Sequence, residues 1–172
     1  MENLKKYINE IKDFPKEGID FKDINPLYKE PKRWTELMLP LQKLITSTKP
    51  DYLAGIESRG FIAAAALAFK FEIGFIPIRK PNKLPGKVIG VNYKLEYGED
   101  RLEIQQNLIE KESKIIVVDD LLATGGTACA AGELIREAGG NLIGYAFIVE
   151  LTELQGRNKL DPNLFVESLL KY

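Results

Sequence analysis

Lys114-Ile115-Ile116-Val117-Val118-Asp119-Asp120-Leu121-Leu122-Ala123-Thr124-Gly125-Gly126-Thr127 is the stretch on which the reading of this chain turns. Its four consecutive β-branched residues predict a strand buried on both faces, as inside a parallel sheet. Two carboxylates follow at the strand's carboxyl end, and a short glycine turn then opens a helical pattern. Ligands of open α/β sheets sit just beyond the carboxyl ends of the strands, so chemistry is expected here. Gly125 and Gly126 allow positive φ and close approach of the backbone to a ligand. The amides of Thr124 to Thr127 then converge on one anion at the positive end of the next helix, and the two threonine hydroxyls add donors.

Two acids beside an anion site repel the ligand unless they meet donors or a cation. A ribose 5-phosphate supplies donors, because its cis-diol offers hydrogen bonds to carboxylate oxygens. Neighbouring strand residues face opposite ways, so Asp119 and Asp120 are expected to differ in role unless the strand has already ended. Helix capping by one acid and a simple Thr-Gly-Gly turn remain the plainer alternative. A Walker loop is excluded, since no Gly-Lys-Ser/Thr stands at the required spacing.

The run from Val117 to Thr127 resembles the phosphoribosyl pyrophosphate motif of the type I phosphoribosyltransferases. Its Leu121-Leu122-Ala123 filling is similar to the adenine phosphoribosyltransferases in particular. The remainder of the chain is compatible with such an enzyme. Its 172 residues suffice for one domain with a full core, and 45% hydrophobic with 28% charged residues is an ordinary globular composition. With 24 basic and 25 acidic side chains the net charge is -1, which gives no basic field for nucleic acid. No stretch approaches a membrane span, and the amino terminus lacks a signal-peptide core, so a cytoplasmic setting is expected. The single Cys129 excludes an internal disulfide and fits a reducing compartment. It reads as a small core residue, because a chain with no His has no imidazole to activate it.

Along the chain, Leu4, Tyr7, Ile8 and Ile11 predict a helix over residues 2–12. A turn at 13–18 leads into an extended segment over 18–24. Pro31 opens a helix with Trp34, Leu37, Met38, Leu41, Leu44 and Ile45 on one face, kinked at Pro40. Tyr52 to Ile56 and Phe75 to Ile78 are strands around an Ala-rich helix from Phe61 to about Phe71. Residues 81–92 show no firm periodicity, and residues 95–98 and 102–105 look like hairpin arms. A helix over about 127–138, a strand over 142–151 and an edge strand over 165–170 complete the pattern. The alternation implies an α/β fold with a central parallel sheet, right-handed crossovers and flanking helices. We expect a single domain over 1–172, with a small hood at about 1–30 and a lid at about 81–101.

Glu57-Ser58-Arg59-Gly60 again places polar residues between a buried strand and a helix start. Arg59 is suited either to clamp an anion or to form a structural ion pair. Arg79, Lys80, Lys83 and Lys87 cluster nearby, as a solvated face or as neutralisers of a leaving group. The resemblance implies that residues 57–59 hold the donor's pyrophosphate, with Arg79, Lys80 and Lys83 assisting. It implies that residues 123–127 hold the 5-phosphate and that the lid, including Lys87 and Tyr97, closes over the site. Glu96, within Leu95-Glu96-Tyr97-Gly98, would lie near the incoming base, though the pair also reads as a hairpin surface. Phe14-Pro15 and the segment from Gly18 to Ile24 resemble the family's base hood. Phe21 would stack on the purine near Leu121, while main-chain groups of Asp20 and Lys22 would read its edge. Lys22 stands where the family usually has Arg, and Asp20 where an apolar residue is common, which leaves backbone readout intact.

The resemblance runs from Phe14 to about Arg157 and implies adenine, 5-phosphoribosyl 1-pyrophosphate, AMP and pyrophosphate as ligands. It also implies substrate-carried Mg²⁺, with no metal held directly by side chains, and a homodimer whose lid residues lie near the neighbour's site. The expected catalytic residues are Asp119, Asp120, Arg59 and Glu96. The same scaffold acting on another base, or a non-catalytic donor sensor, stays open at this point.

Overall fold

The computed structural model describes residues 2–94 and 98–172. A short helix α1 (Glu2–Lys5) leads into a two-stranded antiparallel ribbon, β1 (Asn9–Ile11) with β2 (Phe21–Asp23). Helices α2 (Asn25–Lys29) and α3 (Pro31–Thr48) follow, then β3 (Tyr52–Ile56), α4 (Gly60–Phe71) and β4 (Gly74–Ile78). A hairpin of β5 (Val88–Lys94) and β6 (Glu99–Gln105) precedes β7 (Lys114–Leu122), α5 (Gly126–Glu137) and β8 (Asn141–Glu150). Two 3₁₀ turns then lead to β9 (Phe165–Lys171).

Five strands form the central sheet in the order β4-β3-β7-β8-β9, and every pairing is parallel. The expected architecture is therefore present, with β9 on an edge. Alternation along β7 feeds two cores: Ile115 and Val117 join the one shared with α5 and the hairpin. Ile116 and Val118 join the one beneath α1 to α4. Both sides of the sheet are thus covered, which explains the unbroken apolar run. All three loops that matter to the site leave the carboxyl ends of adjacent strands, β4, β3 and β7.

Two expectations are corrected. The helix over 2–12 ends at Lys5, after which turn bonds at Tyr7 and Ile8 carry the chain into β1. Leu4 is buried and Tyr7 and Ile8 pack against the core, but Ile11 is exposed and opposite Phe21. A lone short helix is marginal, whereas the ribbon gives these backbone groups partners. Second, Leu102 to Gln105 pairs with residues 88–91, so the first hairpin arm lies earlier than residues 95–98. Residues 95–97 fall outside the described residues. The flanking prolines, glycines and lysines hide this arm, although Val91 turns its side chain into the core. Strand β7 continues through both acids to Leu122, so the condition under which Asp119 and Asp120 differ in role is met. Helix α2 was not foreseen; its signal is Asn25-Pro26, with the Asn25 amide donating to Asp23 Oδ1 at 3.0 Å.

Helix α3 runs through Pro40 and buries Leu37, Met38, Leu41 and Ile45 as the spacing requires. The bend before α5 is backed by the 3₁₀ segment at Gly156. A Cβ at Gly156 would meet only backbone, 2.7 Å from the Gly125 nitrogen and 2.9 Å from the Ala123 carbonyl carbon. Gly156→Ala should lose about 1–3 kcal/mol of unfolding free energy in urea, as overpacking does. Amide resonances of residues 123–126 should shift in the same variant.

Candidate active site

A cavity of about 360 Å³ opens at the carboxyl end of β7. Its wall is made by Ile56 at the end of β3 and residues 57–59 beyond it, by Lys80 after β4, and by the continuous run 119–128. Gly125 adopts φ +80 at the start of α5, the left-handed conformation that the double glycine predicts. The first turn of α5 therefore borders the cavity with its backbone donors.

The two acids meet different partners, as their adjacent strand positions require. Asp119 Oδ1 accepts the Asp120 amide at 2.9 Å and lies close against Gly60, where a Cβ would come within 2.8 Å of it. Asp120 Oδ2 pairs with Arg59 Nε at 2.9 Å. Burial, and then the charge of Asp120, push the Asp119 carboxyl well above the usual carboxylate range. Burial also raises Asp120, with Arg59 opposing it. Negative charge at this position is thus costly, and a cation or donors arriving beside it are stabilised.

Arg59 joins two parts of the molecule, because its guanidinium also lies 4.8 Å from the Phe21 ring centre. Phe21 in turn packs edge-on against Phe14 at 5.2 Å. The amino-terminal ribbon is thereby brought against the residue 57–59 loop, whose Glu57–Ser58 peptide bond is cis. Glu57 accepts Arg79 Nε at 3.0 Å and the Lys80 amide at 2.9 Å. Burial opposes its ionisation, but those donors outweigh it and hold the carboxyl below its ordinary value.

The structure brings together most of the residues singled out from the sequence. Glu57, Ser58, Arg59, Lys80, Asp119, Asp120, Leu121 and residues 123–127 all border the one cavity. Phe21 reaches it through Arg59. Arg79 is turned to Glu57 and to the Lys83 carbonyl, while the Lys83 and Lys87 side chains are exposed. Asp20 is exposed, and Lys22 points away to Glu10 at 2.5 Å. Glu96 and Tyr97 lie outside the described residues. Cys129 is half-buried against the core on α5. Sequence reasoning missed Tyr93, Asp100 and Gly156. The first two meet Lys80 across 13 and 20 residues, a pairing with no local signal, and Gly156 reads only as a turn residue.

A family model described as the phosphoribosyl transferase domain matches residues 25–165. The adenine phosphoribosyltransferase of Prochlorococcus marinus (strain NATL1A) is 76% identical over 172 residues, the full length of both chains. Among solved structures, the adenine phosphoribosyltransferase of Thermoanaerobacter pseudethanolicus superposes with a TM-score of 0.95 at 44% identity, covering 99% of each chain. That of Saccharomyces cerevisiae, complexed with D-2,5-dideoxy-2,5-imino-altritol 1,6-bisphosphate and adenine, gives 0.90 at 42% identity, over 98% of this chain and 97% of its own. On the family match, the full-length identity and the superposition together, the chain belongs to the adenine phosphoribosyltransferases of the phosphoribosyl transferase domain family.

Proposed function

We propose that the chain transfers the phosphoribosyl group of 5-phosphoribosyl 1-pyrophosphate to adenine, yielding AMP and pyrophosphate in purine salvage. One juxtaposition carries this reading: Asp119 and Asp120 share a cavity wall with the 123–127 turn, and Asp120 pairs with Arg59 of the 57–59 loop in that wall. The turn would hold the 5-phosphate through backbone amides and the Thr124 and Thr127 hydroxyls. That fixes the sugar so that its hydroxyls donate to the two carboxylates.

The bond from C1 of the ribose to pyrophosphate then breaks, with its electron pair leaving on the pyrophosphate oxygen. Positive charge develops at the sugar beside two acids that are costly to keep negative, and each relieves the other. Adenine N9 supplies the pair for the new bond, and the imidazole proton is lost, with Glu96 as our candidate acceptor. Arg59 and Lys80, aided by Arg79, Lys83 and the Glu57-Ser58 backbone, would receive the leaving group. Phe21 and Leu121 would hold the purine, while the main chain at Asp20 and Lys22 reads its amine and N1; the Phe21–Arg59 contact supports that placement.

Among the described residues no group of three or more His, Cys, Asp or Glu is placed to hold a metal. Mg²⁺ would be carried by the donor's own oxygens, where it would neutralise charge on the leaving pyrophosphate. We take the chain as one domain, with the hood at 1–30 and the lid at 81–101 carrying Lys87 and Tyr97. A reducing, cytoplasmic setting is proposed with it. No helix among the described residues is long and apolar enough to cross a membrane.

A homodimer is part of the proposal. Helix α4 begins at the site and turns Ile62, Ala65, Ala66 and Phe69 outward at helical spacing, with Phe69 89% exposed. An apolar stripe of this kind suits a second copy of the same chain. Phe69→Glu should shift the sedimentation coefficient from dimer to monomer at micromolar concentration.

The enzymatic test measures nucleotide formation from adenine, hypoxanthine, xanthine and orotate with the common donor and Mg²⁺. Adenine alone should turn over, and Asp119→Asn and Asp120→Asn should each lower kcat by about a hundredfold or more. Unchanged kcat at saturating substrates would remove the acids from the mechanism, and preference for another base would overturn the hood assignment.

A further inference from the structure

Lys80 is tied to the β5–β6 hairpin. Its Nζ donates to the Asp100 carboxylate and, at 2.9 Å, to the Tyr93 hydroxyl. That hydroxyl donates to Asp100 Oδ2 at 3.2 Å and accepts from Thr127 Oγ1 at 3.4 Å. The other Asp100 oxygen accepts the Arg101 amide at 2.7 Å. Both arms of the hairpin and the exit of β4 therefore meet at one anion, and the first turn of α5 joins them through the Tyr93 hydroxyl. The main chain closes in as well, since a Cβ on Gly126 would lie 3.4 Å from the Lys94 carbonyl oxygen.

Asp100 thus holds its carboxylate against a cavity-wall ammonium, beside the hydroxyl network of the glycine turn. Those are donors that an anionic ligand oxygen would seek. We infer that Asp100 is an internal anion that competes with pyrophosphate for Lys80 and so lowers its affinity. This rests on the reading of Lys80 as a pyrophosphate ligand. The competition weakens the hold on both ligands by a similar factor, but its consequences differ. A donor is held at its 5-phosphate and its diol as well, whereas the product pyrophosphate is held at this end alone. Asp100 therefore favours product release, a step that limits turnover in many enzymes.

Neither partner is deeply buried, their side chains being 35% and 25% exposed, so the effect is modest. Calorimetric titration with pyrophosphate and Mg²⁺ should show Asp100→Asn and Asp100→Ala binding about two- to five-fold more tightly than the unaltered chain. Lys80→Ala should bind more weakly. If Lys80→Ala leaves binding unchanged, the Lys80 reading fails. If Lys80→Ala weakens binding but both Asp100 variants bind no tighter, Asp100 is only an anchor of the hairpin and the inference is overturned. A readout on the unaltered chain guards against misfolded variants: pyrophosphate should move the carboxyl carbon resonance of Asp100, and a stationary resonance would equally overturn the inference.

Discussion

Two carboxylates at the end of a buried strand are the constraint around which this molecule is arranged. Strand β7 is flanked by parallel partners on both sides as far as Val118, and β8 alone accompanies it through the acids to Leu122. Asp119 and Asp120 are carried into that protected position and must find their stabilisation locally. A neighbouring amide serves one and a guanidinium the other. An acid held this way resists further negative charge and favours whatever positive charge or donor is brought to it.

Around those acids, charge is balanced pair by pair. Arg59 sits with Asp120, Arg79 with Glu57, and Lys80 with Asp100. The three cations come from the loops after β3 and β4, two strands that lie side by side, and they converge because the parallel sheet aligns its carboxyl ends. A polyanionic ligand entering such a site exchanges partners with side chains already in place. Little reorganisation is then needed, which is the advantage of fixed charges over water. Arg59 adds a mechanical role, since the same guanidinium that pairs with Asp120 lies over Phe21 and couples the amino-terminal ribbon to the acids.

Where local pattern and burial agreed, the fold was legible from residues alone. The apolar face of α3 lies where its spacing requires, and Tyr52 to Ile56 is a strand between the bounds its composition suggested. The amino terminus misled because Leu4, Tyr7 and Ile8 do face the core, but through a turn rather than a continued helix. The hairpin misled because its first arm is interrupted by Gly90, whose missing Cβ makes room for the Arg101 guanidinium.

By itself the sequence determined the chemistry at the centre. A β-branched run, two acids and a Thr-Gly-Gly-Thr turn follow one another within a few residues, and short-range order is enough to place donors beside carboxylates. Only the tertiary structure decided which charges meet. Tyr93, Asp100 and Lys80 are brought together by the packing of the hairpin on α5 and β4, and Gly156 reaches the back of the turn from beyond β8. Contacts between residues far apart along the chain are set by strand register and packing. Neither leaves a mark in the local pattern of side chains.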